Sequence, residues 1–421
     1  MPSLRFLFGA DAEILYETNF QLLLLSTTLP ILGTLLVSPM LDSLIEPFET
    51  TPKDIGLMIS FLTAPGIVMI PIAGMIADRI GRKPVLLTSI LLFGLGGSMI
   101  ALTTDFRVVL GLRFLQGIGF AGITPILITS IRDQYSGTRE ATAHGLRLSL
   151  GGISGAIFPL LSGFLVVIAW QYPFLLYLIA LPIAALVFLR YDDPTVGKKT
   201  SRDSLNAGYA RSLFDLIRRP RVLTLIIARS LPNVVWIGFY TYNSLIVIRL
   251  IGGTPLLAGL LAAVGNLVFA VAASQAGRVT NIFGTRVIPI VSANVLLGAG
   301  FGVLLYAPDI LYALAGITLM GAGTGILLSL YRSLITGLAP QSLRSGLVGI
   351  AESMGRVANT LTPIAMGATI ATTSQTLGFA GAIRVTGVAM TVFATGGGIV
   401  CILLASAAPR TPAEPEIHGN D

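Results

Sequence analysis

The sequence predicts an all-α integral membrane protein: twelve transmembrane helices arranged as two six-helix, pseudo-symmetric bundles. Three observations carry this. Charged residues make up 11% of the 421 residues and hydrophobic ones 54%, whereas soluble domains carry about 25% charged residues. Apolar runs of roughly 20 residues, each able to cross a hydrocarbon core about 30 Å thick with its backbone bonded internally, recur along the whole chain. The second half also repeats the glycine and proline punctuation of the first, as an internal repeat would. The 47 glycines fit the same class, since small residues let membrane helices approach closely.

In order, the apolar runs span 20–40, 55–77, 85–103, 107–130, 142–168 and 172–190, then 222–248, 255–276, 286–306, 310–335, 345–371 and 381–406. Residues 1–190 are expected to form the N-terminal bundle, 191–221 a cytoplasmic connector and 222–421 the C-terminal bundle. The first twenty residues lack the ordered basic cluster, short apolar core and cleavage site of a signal peptide, so they are expected to stay in the mature protein. Cys401 is the only cysteine. No intramolecular disulfide and no cysteine metal cluster can form, and the chain is silent on redox compartment.

A net charge of +7 raises the question of nucleic acid, but the basic residues sort by membrane side instead. With both termini inside, 19 of the 27 Lys and Arg fall in cytoplasmic segments, four outside (Lys53, Arg107, Arg249, Arg384) and four within spans. That asymmetry fixes the orientation, points to the plasma membrane and makes nucleic acid a poor partner. The end of the connector sets Leu213, Phe214, Leu216 and Ile217 beside Arg211, Arg218, Arg219 and Arg221. It reads as a basic amphipathic turn at the inner headgroups, or as a stop that only sets orientation.

The repeat is close. Gly74, Asp78, Gly81 and Lys83 fall on Gly277, Asn281, Gly284 and Arg286 at an offset of 203. Gly117 and Gly119 fall on Gly321 and Gly323, and Gly145, Gly151, Pro159 and Gly163 on Gly349, Gly355, Pro363 and Gly367, at an offset of 204. Two parallel bundles that rock around a site between them follow from such an arrangement.

With these residues in view, the chain resembles a major facilitator superfamily transporter over essentially its whole length. "GMIADRIGRKPVLL" is similar to the family signature between the second and third helices, and "LRFLQGIGFAG", with Arg113, Gln116, Gly117 and Gly119, resembles the fourth-helix signature of proton-coupled drug exporters. The fifth helix departs from the exporter pattern: it reads "GGISGAIFPLLSG", with Pro159 four residues past Gly155. The match is partial: it marks an antiport role or, because the eleventh helix repeats that Gly, Pro and Gly spacing, helix kinking and close packing in both halves.

The gating loop comprises Gly74, Asp78, Arg79, Gly81, Arg82 and Lys83. Gly81 permits the turn, while Arg79, Arg82 and Lys83 hold the loop inside. Asp78 sits at a helix end where the macrodipole disfavours an acid. The resemblance implies that this Asp meets the start of the eleventh helix, with Arg344 at hand, in a latch worth on the order of 1–2 kcal/mol; a static loop staple is the alternative. Asn281 leaves the second copy uncharged.

Charges within spans should face the protein interior or an aqueous cavity, because each costs roughly 2.5 kcal/mol or more at mid-bilayer. Arg113, with Gln116, is expected to line the proton or substrate path, or else to be a packing arginine bonded to helix carbonyls. Glu352 and Arg356 stand i, i+4, either neutralising each other or leaving Glu352 as the proton carrier. Arg147 and Arg229 lie nearer the inner helix ends and either snorkel or join the path. Asp42 is a weaker proton site at the outer end of the first helix. In the seventh helix, Asn233, Trp236 and Tyr240 offer polar groups and aromatic faces for a substrate wall.

The function expected is secondary active transport by alternating access: proton-coupled export of small amphiphilic drugs or metabolites, with an uptake symporter or facilitated carrier as the alternative. No sugar-porter signature follows the sixth helix, where "RYDDPTVG" stands. Only His144 and His418 are present, with no HExxH motif, acid cluster or GxxxxGK[ST] loop, so neither an intramembrane enzyme nor an ATP-driven pump is expected. No cofactor, metal or catalytic residue is assigned. The partners expected are a small-molecule substrate, protons and the lipid bilayer, and the assembly a monomer. Four span arginines against one glutamate lean the substrate toward anionic, zwitterionic or neutral amphiphiles.

Overall fold

The computed structural model describes residues 10–193, 207–340 and 343–407. The connector's Lys198, Lys199 and Arg202, the terminal Arg5 and Arg410, and His418 lie outside them. Among the described residues the chain is helical throughout its spans. These are α1 (Thr18–Met40), α2 (Leu57–Ile80), α3 (Arg82–Leu102), α4 (Phe106–Gln134), α5 (Gly137–Ile168) and α6 (Tyr172–Arg190). After a connector helix, Ala207–Ile217, follow α7 (Pro220–Leu250), α8 (Pro255–Phe283), α9 (Val287–Leu305) and α10 (Ile310–Gly337).

The last helical stretch, Arg344–Ala407, is 64 residues long with one non-helical residue, Gly378. Unbroken, it would reach about 96 Å at 1.5 Å per residue, three times the hydrocarbon thickness. Gly378, at φ 68° and ψ 170°, turns it instead into α11 (344–377) and α12 (379–407). The packing of α12 on α9 shows the reversal: Arg384 donates to the Leu305 carbonyl (3.2 Å), while Gly398 lies against Asn294. Twelve spans result, as the sequence predicts.

Short-range chemistry sets the helix ends. Asp105 and Asp309 accept hydrogen bonds from the first backbone N–H groups of α4 and α10, and Thr254 from those of α8. Gly81 (φ 99°) makes the α2–α3 turn, and Gly284 (φ 61°) stops α8 in its matching place. α8 runs seven residues past the apolar stretch expected to end at 276, and α5 starts five before 142. Hydropathy marks only the part in hydrocarbon, whereas the helix continues into the headgroup zone.

The first six spans and the last six meet along a seam whose two sides obey the repeat. Pro159 of α5 packs its backbone on Gly259 of α8, and its copy Pro363 of α11 packs on Gly56 at the head of α2. Gly163 receives the backbone of Pro255 and Leu256, and its copy Gly367 that of Lys53. This is close backbone approach through small residues, which gives the fifth-helix Gly and Pro spacing its packing role in both halves. All four contacts lie at the distal face, away from the connector. Hydrogen bonds reinforce it: Ser60 Oγ to the Thr360 carbonyl (2.8 Å), Thr63 Oγ1 with Thr360 Oγ1 (3.0 Å) and Asp42 N–H to Ser244 Oγ (2.9 Å). An ion pair joins Arg249 Nε to Asp42 Oδ1 at 2.5 Å. Arg249 stands on the π-helical last turn of α7, Ile246–Leu250.

Candidate transport path between the two halves

Arg113 and Gln116 of α4 are buried wholly inside the first half. Arg113 Nη1 donates to Gln116 Oε1 (2.7 Å), the Gly33 carbonyl of α1 (3.3 Å) and Tyr177 Oη of α6 (3.3 Å). Its guanidinium also lies 6.0 Å from the Phe174 ring centroid and 5.8 Å from that of Tyr177. Glycine makes the room: a Cβ on Gly97 would collide with the Gln116 amide and the Tyr177 ring. Arg113 is 1% exposed and has no carboxylate partner among the described residues. Its acceptors are thus a helix carbonyl, an amide oxygen and a phenol oxygen of its own bundle.

The second half holds a different centre. Glu352, about two turns into α11, takes Arg229 Nη2 of α7 at 2.6 Å and Arg332 Nη2 of α10 at 3.2 Å on the same oxygen, Oε1. Arg229 Nη1 also reaches the Ala351 carbonyl at 3.3 Å. The intrahelical Glu352–Arg356 ion pair allowed by i, i+4 spacing is not formed. Partners on two other helices give Glu352 shorter contacts, and Arg356 turns outward to the seam, 4.7 Å from the Phe120 ring centroid of α4. Arg229 therefore does not snorkel to the interface. On the facing half, Arg147 of α5 is half-buried, its Nε is without a hydrogen-bond partner, and it lies within electrostatic reach of Arg332.

On α7, Arg229, Asn233, Trp236 and Tyr240 are spaced i, i+4, i+7 and i+11 and so share one face. Trp236 meets Tyr240 edge-on at 5.3 Å and Phe269 of α8 at 5.8 Å. Asn266 of α8 donates to Tyr240 Oη (2.6 Å) and stands against Gly155 of α5. Tyr240 is 1% exposed, whereas Asn233 and Trp236 are partly open. Among the wall residues, then, Trp236 and Asn233 have surface to offer and Tyr240 supports them from behind.

The loop between α2 and α3 makes several contacts within the first half. Arg82 pairs with Asp78 (2.6 Å) and, through Nε, with Asp133 at the end of α4 (3.0 Å). Lys83 N–H donates to Asp193 Oδ2 (2.8 Å), which also fills the place a Cβ on Gly81 would take. Gly74 faces open space, and Arg79 and Arg344 are exposed. Asp78 pairs with Arg82 here and not with Arg344. Nearby, Tyr135 donates to Glu17 (2.6 Å); burial and that acid push its phenol above the ordinary value.

Arg332, Phe120, Phe269 and Asn266 join the site without having been singled out in the sequence. Arg332 counts there as an inner-loop charge, and the other three are single apolar or polar residues on long helices, whose only signal is the face they share with a neighbour.

The chain matches the family described as the Major Facilitator Superfamily over residues 23–249. The bacillibactin exporter of Bacillus subtilis is 34% identical over 150 residues, 34% of this chain and 37% of that protein. The chloramphenicol resistance protein CraA of Acinetobacter baumannii is 28% identical over 157 residues, 37% of each chain. These alignments cover well under two thirds of either relative. The uncharacterized MFS-type transporter YceJ of Bacillus subtilis aligns over 315 residues at 25% identity, 73% of this chain and 78% of that one. Among solved structures, a bacterial homolog of the human lysosomal transporter Spinster, inward-facing and occupied, gives a TM-score of 0.77 at 17% identity, covering 94% of this chain and 98% of that one. A D-xylose-proton symporter gives 0.73 at 15% identity, covering 90% and 98%. At such identities the likeness is one of fold. The sequence match spans more than half of this chain and the fold agrees with it over 94% of the chain: the chain belongs to the Major Facilitator Superfamily of transporters.

Proposed function

We propose that this chain is a proton-coupled exporter of small amphiphilic drugs or metabolites, working as a monomer by alternating access in the cytoplasmic membrane. Its two bundles, 1–190 and 222–421, rock about the seam. The observation that carries the coupling is Glu352, an acid set two turns inside a span and held by Arg229 and Arg332 from two other helices. A proton arriving at its carboxyl removes the charge that holds both arginines, so α7, α10 and α11 change their mutual fit with protonation. Export is favoured over uptake by the relatives named as an exporter and a resistance protein.

In this reading the connector face, with its basic loops, is the cytoplasmic one. The sealed distal face is then the outer gate, closed by Asp42–Arg249 and the Pro and Gly contacts, and substrate enters from inside past Arg147 and Arg332. When the inner side closes, Asp78 meets the start of α11 and Arg344 as a latch.

Proton flux in proteoliposomes under an imposed pH gradient tests this. A lipophilic cation, an organic anion and a neutral amphiphile are added in turn to the wild type and to Glu352→Gln. Substrate-dependent proton movement that disappears in the variant is expected. Movement that persists in Glu352→Gln removes the residue from the path, and no response to any class removes proton coupling.

A further inference from the structure

Four arginines converge where the two halves face each other on the connector side: Arg229, Arg332 and Arg356 from the second half and Arg147 from the first. Among the described residues the carboxylate ion-paired with them is Glu352, which engages Arg229 and Arg332 through a single oxygen. Among the described residues Arg356 has neither an ion pair nor a hydrogen bond. Its stem passes Gly66 of α2 and its guanidinium lies on the Phe120 ring, both in the other half. Arg147 Nε is buried without an acceptor. Excess positive charge is therefore stored at the seam, on side chains from both bundles, with most of its donors uncommitted.

We propose that this cluster is a binding site for the carboxylate of an amphiphilic organic anion, seated on Arg356 and shared with Arg229 or Arg332, with Glu352 as the internal carboxylate it displaces. The proposal names the substrate class of the transport reading above and rests on it for its purpose. Three features support it. Guanidinium groups bind carboxylates best in a two-pronged fork, a geometry that the single-oxygen grip of Glu352 leaves unused. The α7 stripe leads from Arg229 past Asn233 to Trp236 and Phe269, about 10 Å along the helix at 1.5 Å per residue. That length suits a two-ring aromatic body attached to the charged head. Finally, closing the connector side presses Arg147 toward Arg332 and Arg356, and like charges oppose this until an anion lies between them. The substrate itself thereby favours closure.

The test is equilibrium binding of radiolabelled 2-naphthoate to the purified full-length protein, competed by unlabelled 2-naphthoate, neutral 2-naphthamide and cationic 2-naphthylmethylammonium. The amide should compete at least about tenfold more weakly than the acid and the ammonium not at all. Arg356→Gln should weaken naphthoate binding by about tenfold, with Arg356→Lys retaining part of it because the charge remains. Glu352→Gln should tighten binding by about threefold, since it removes the competing carboxylate. A general loss of folding would lower affinity in both Gln variants, so the opposite signs separate the site from a structural role. Absent saturable naphthoate binding, equal competition by the amide, or Arg356→Gln binding like wild type overturns the proposal. The two readings also fail separately. Proton movement driven only by a neutral or cationic amphiphile, without naphthoate binding, keeps the exporter and rejects the anion site; naphthoate binding without proton movement does the reverse.

Discussion

Arg113 and Arg356 are both guanidinium groups inside membrane spans, one in each half, yet their surroundings differ in kind. Arg113 is 1% exposed and bonded to Gln116, Tyr177 and a helix carbonyl of its own bundle. Arg356 has no hydrogen bond, is half-buried and leans across the seam onto Phe120. Neither has a copy in the repeat: the positions 204 residues away hold Ile317 for Arg113 and Gly152 for Arg356. A shared backbone framework has thus received two separate charged centres, one bonded within its own bundle and one leaning across the seam.

Removal of the Arg113 guanidinium should cost the most stability. Arg113→Ala strips three acceptors of their donor and leaves a cavity beside Tyr177. It should lower stability by about 3–5 kcal/mol, read as a large fall in the thermal unfolding midpoint in detergent. Arg113→Lys should lose less, because one ammonium keeps the charge but not the planar fork. A midpoint unchanged in Arg113→Ala, together with lost transport, would move Arg113 from the scaffold into the path.

Glu352→Gln probes the other centre and should show the reverse profile. Its ion pairs are partly solvated, with the Glu352 side chain 36% exposed, so stability should change by no more than about 1 kcal/mol. Substrate-driven proton movement should vanish all the same. A fall in the unfolding midpoint as large as that of Arg113→Ala would make Glu352 a second structural clamp and dissolve the distinction.

What the sequence reveals about these centres follows from how far each depends on distant partners. The spans and the Gly81 turn are legible because hydropathy and a single glycine act locally. The seam contacts of Pro159 and Pro363 are half legible: the repeat shows the residues, and only the fold shows that Gly259 and Gly56 receive them. Arg113 is visible as a charge on an apolar helix with Gln116 three residues on, but its other two acceptors come from residues 80 and 64 positions away, so the choice between packing and path stays open. For Glu352 the local i, i+4 rule points to Arg356, and partners 123 and 20 positions away prevail. Local pairs on a helix gain only about 0.2–0.5 kcal/mol, which any better-placed cation from another helix outweighs.

The distal gate gives a smaller effect. The Arg249–Asp42 pair is partly exposed, 35% and 14%, so Arg249→Gln should weaken the closed gate by about 0.5–1 kcal/mol and raise the open population about two- to fivefold. Spin labels at Glu46 and Gln375, one on each half at that face, would report it in a Cys401→Ser background as a larger long-distance fraction. An unchanged distribution would leave closure to the Pro and Gly contacts and the hydrogen bonds beside them.

The finest test uses the repeat itself. Gly151 of α5 and Gly355 of α11 are copies of one another, so Gly→Ala makes the same chemical change at equivalent points in the two halves. At Gly151 a Cβ meets only the Ile31 side chain, at 3.4 Å. The variant should therefore be neutral, or gain up to about 0.5–1 kcal/mol from the better helix former. At Gly355 the same atom meets Asn233 Nδ2 at 2.7 Å and Arg229 Nη1 at 3.0 Å. Arg229 must then shift, and its hold on Glu352 weakens with it. Gly355→Ala should leave the unfolding midpoint near that of wild type while altering the pH dependence of substrate-driven proton movement, and Gly151→Ala should alter neither. Matching behaviour in both variants would mean that the position, and not the charged centre placed beside it in one half, governs coupling.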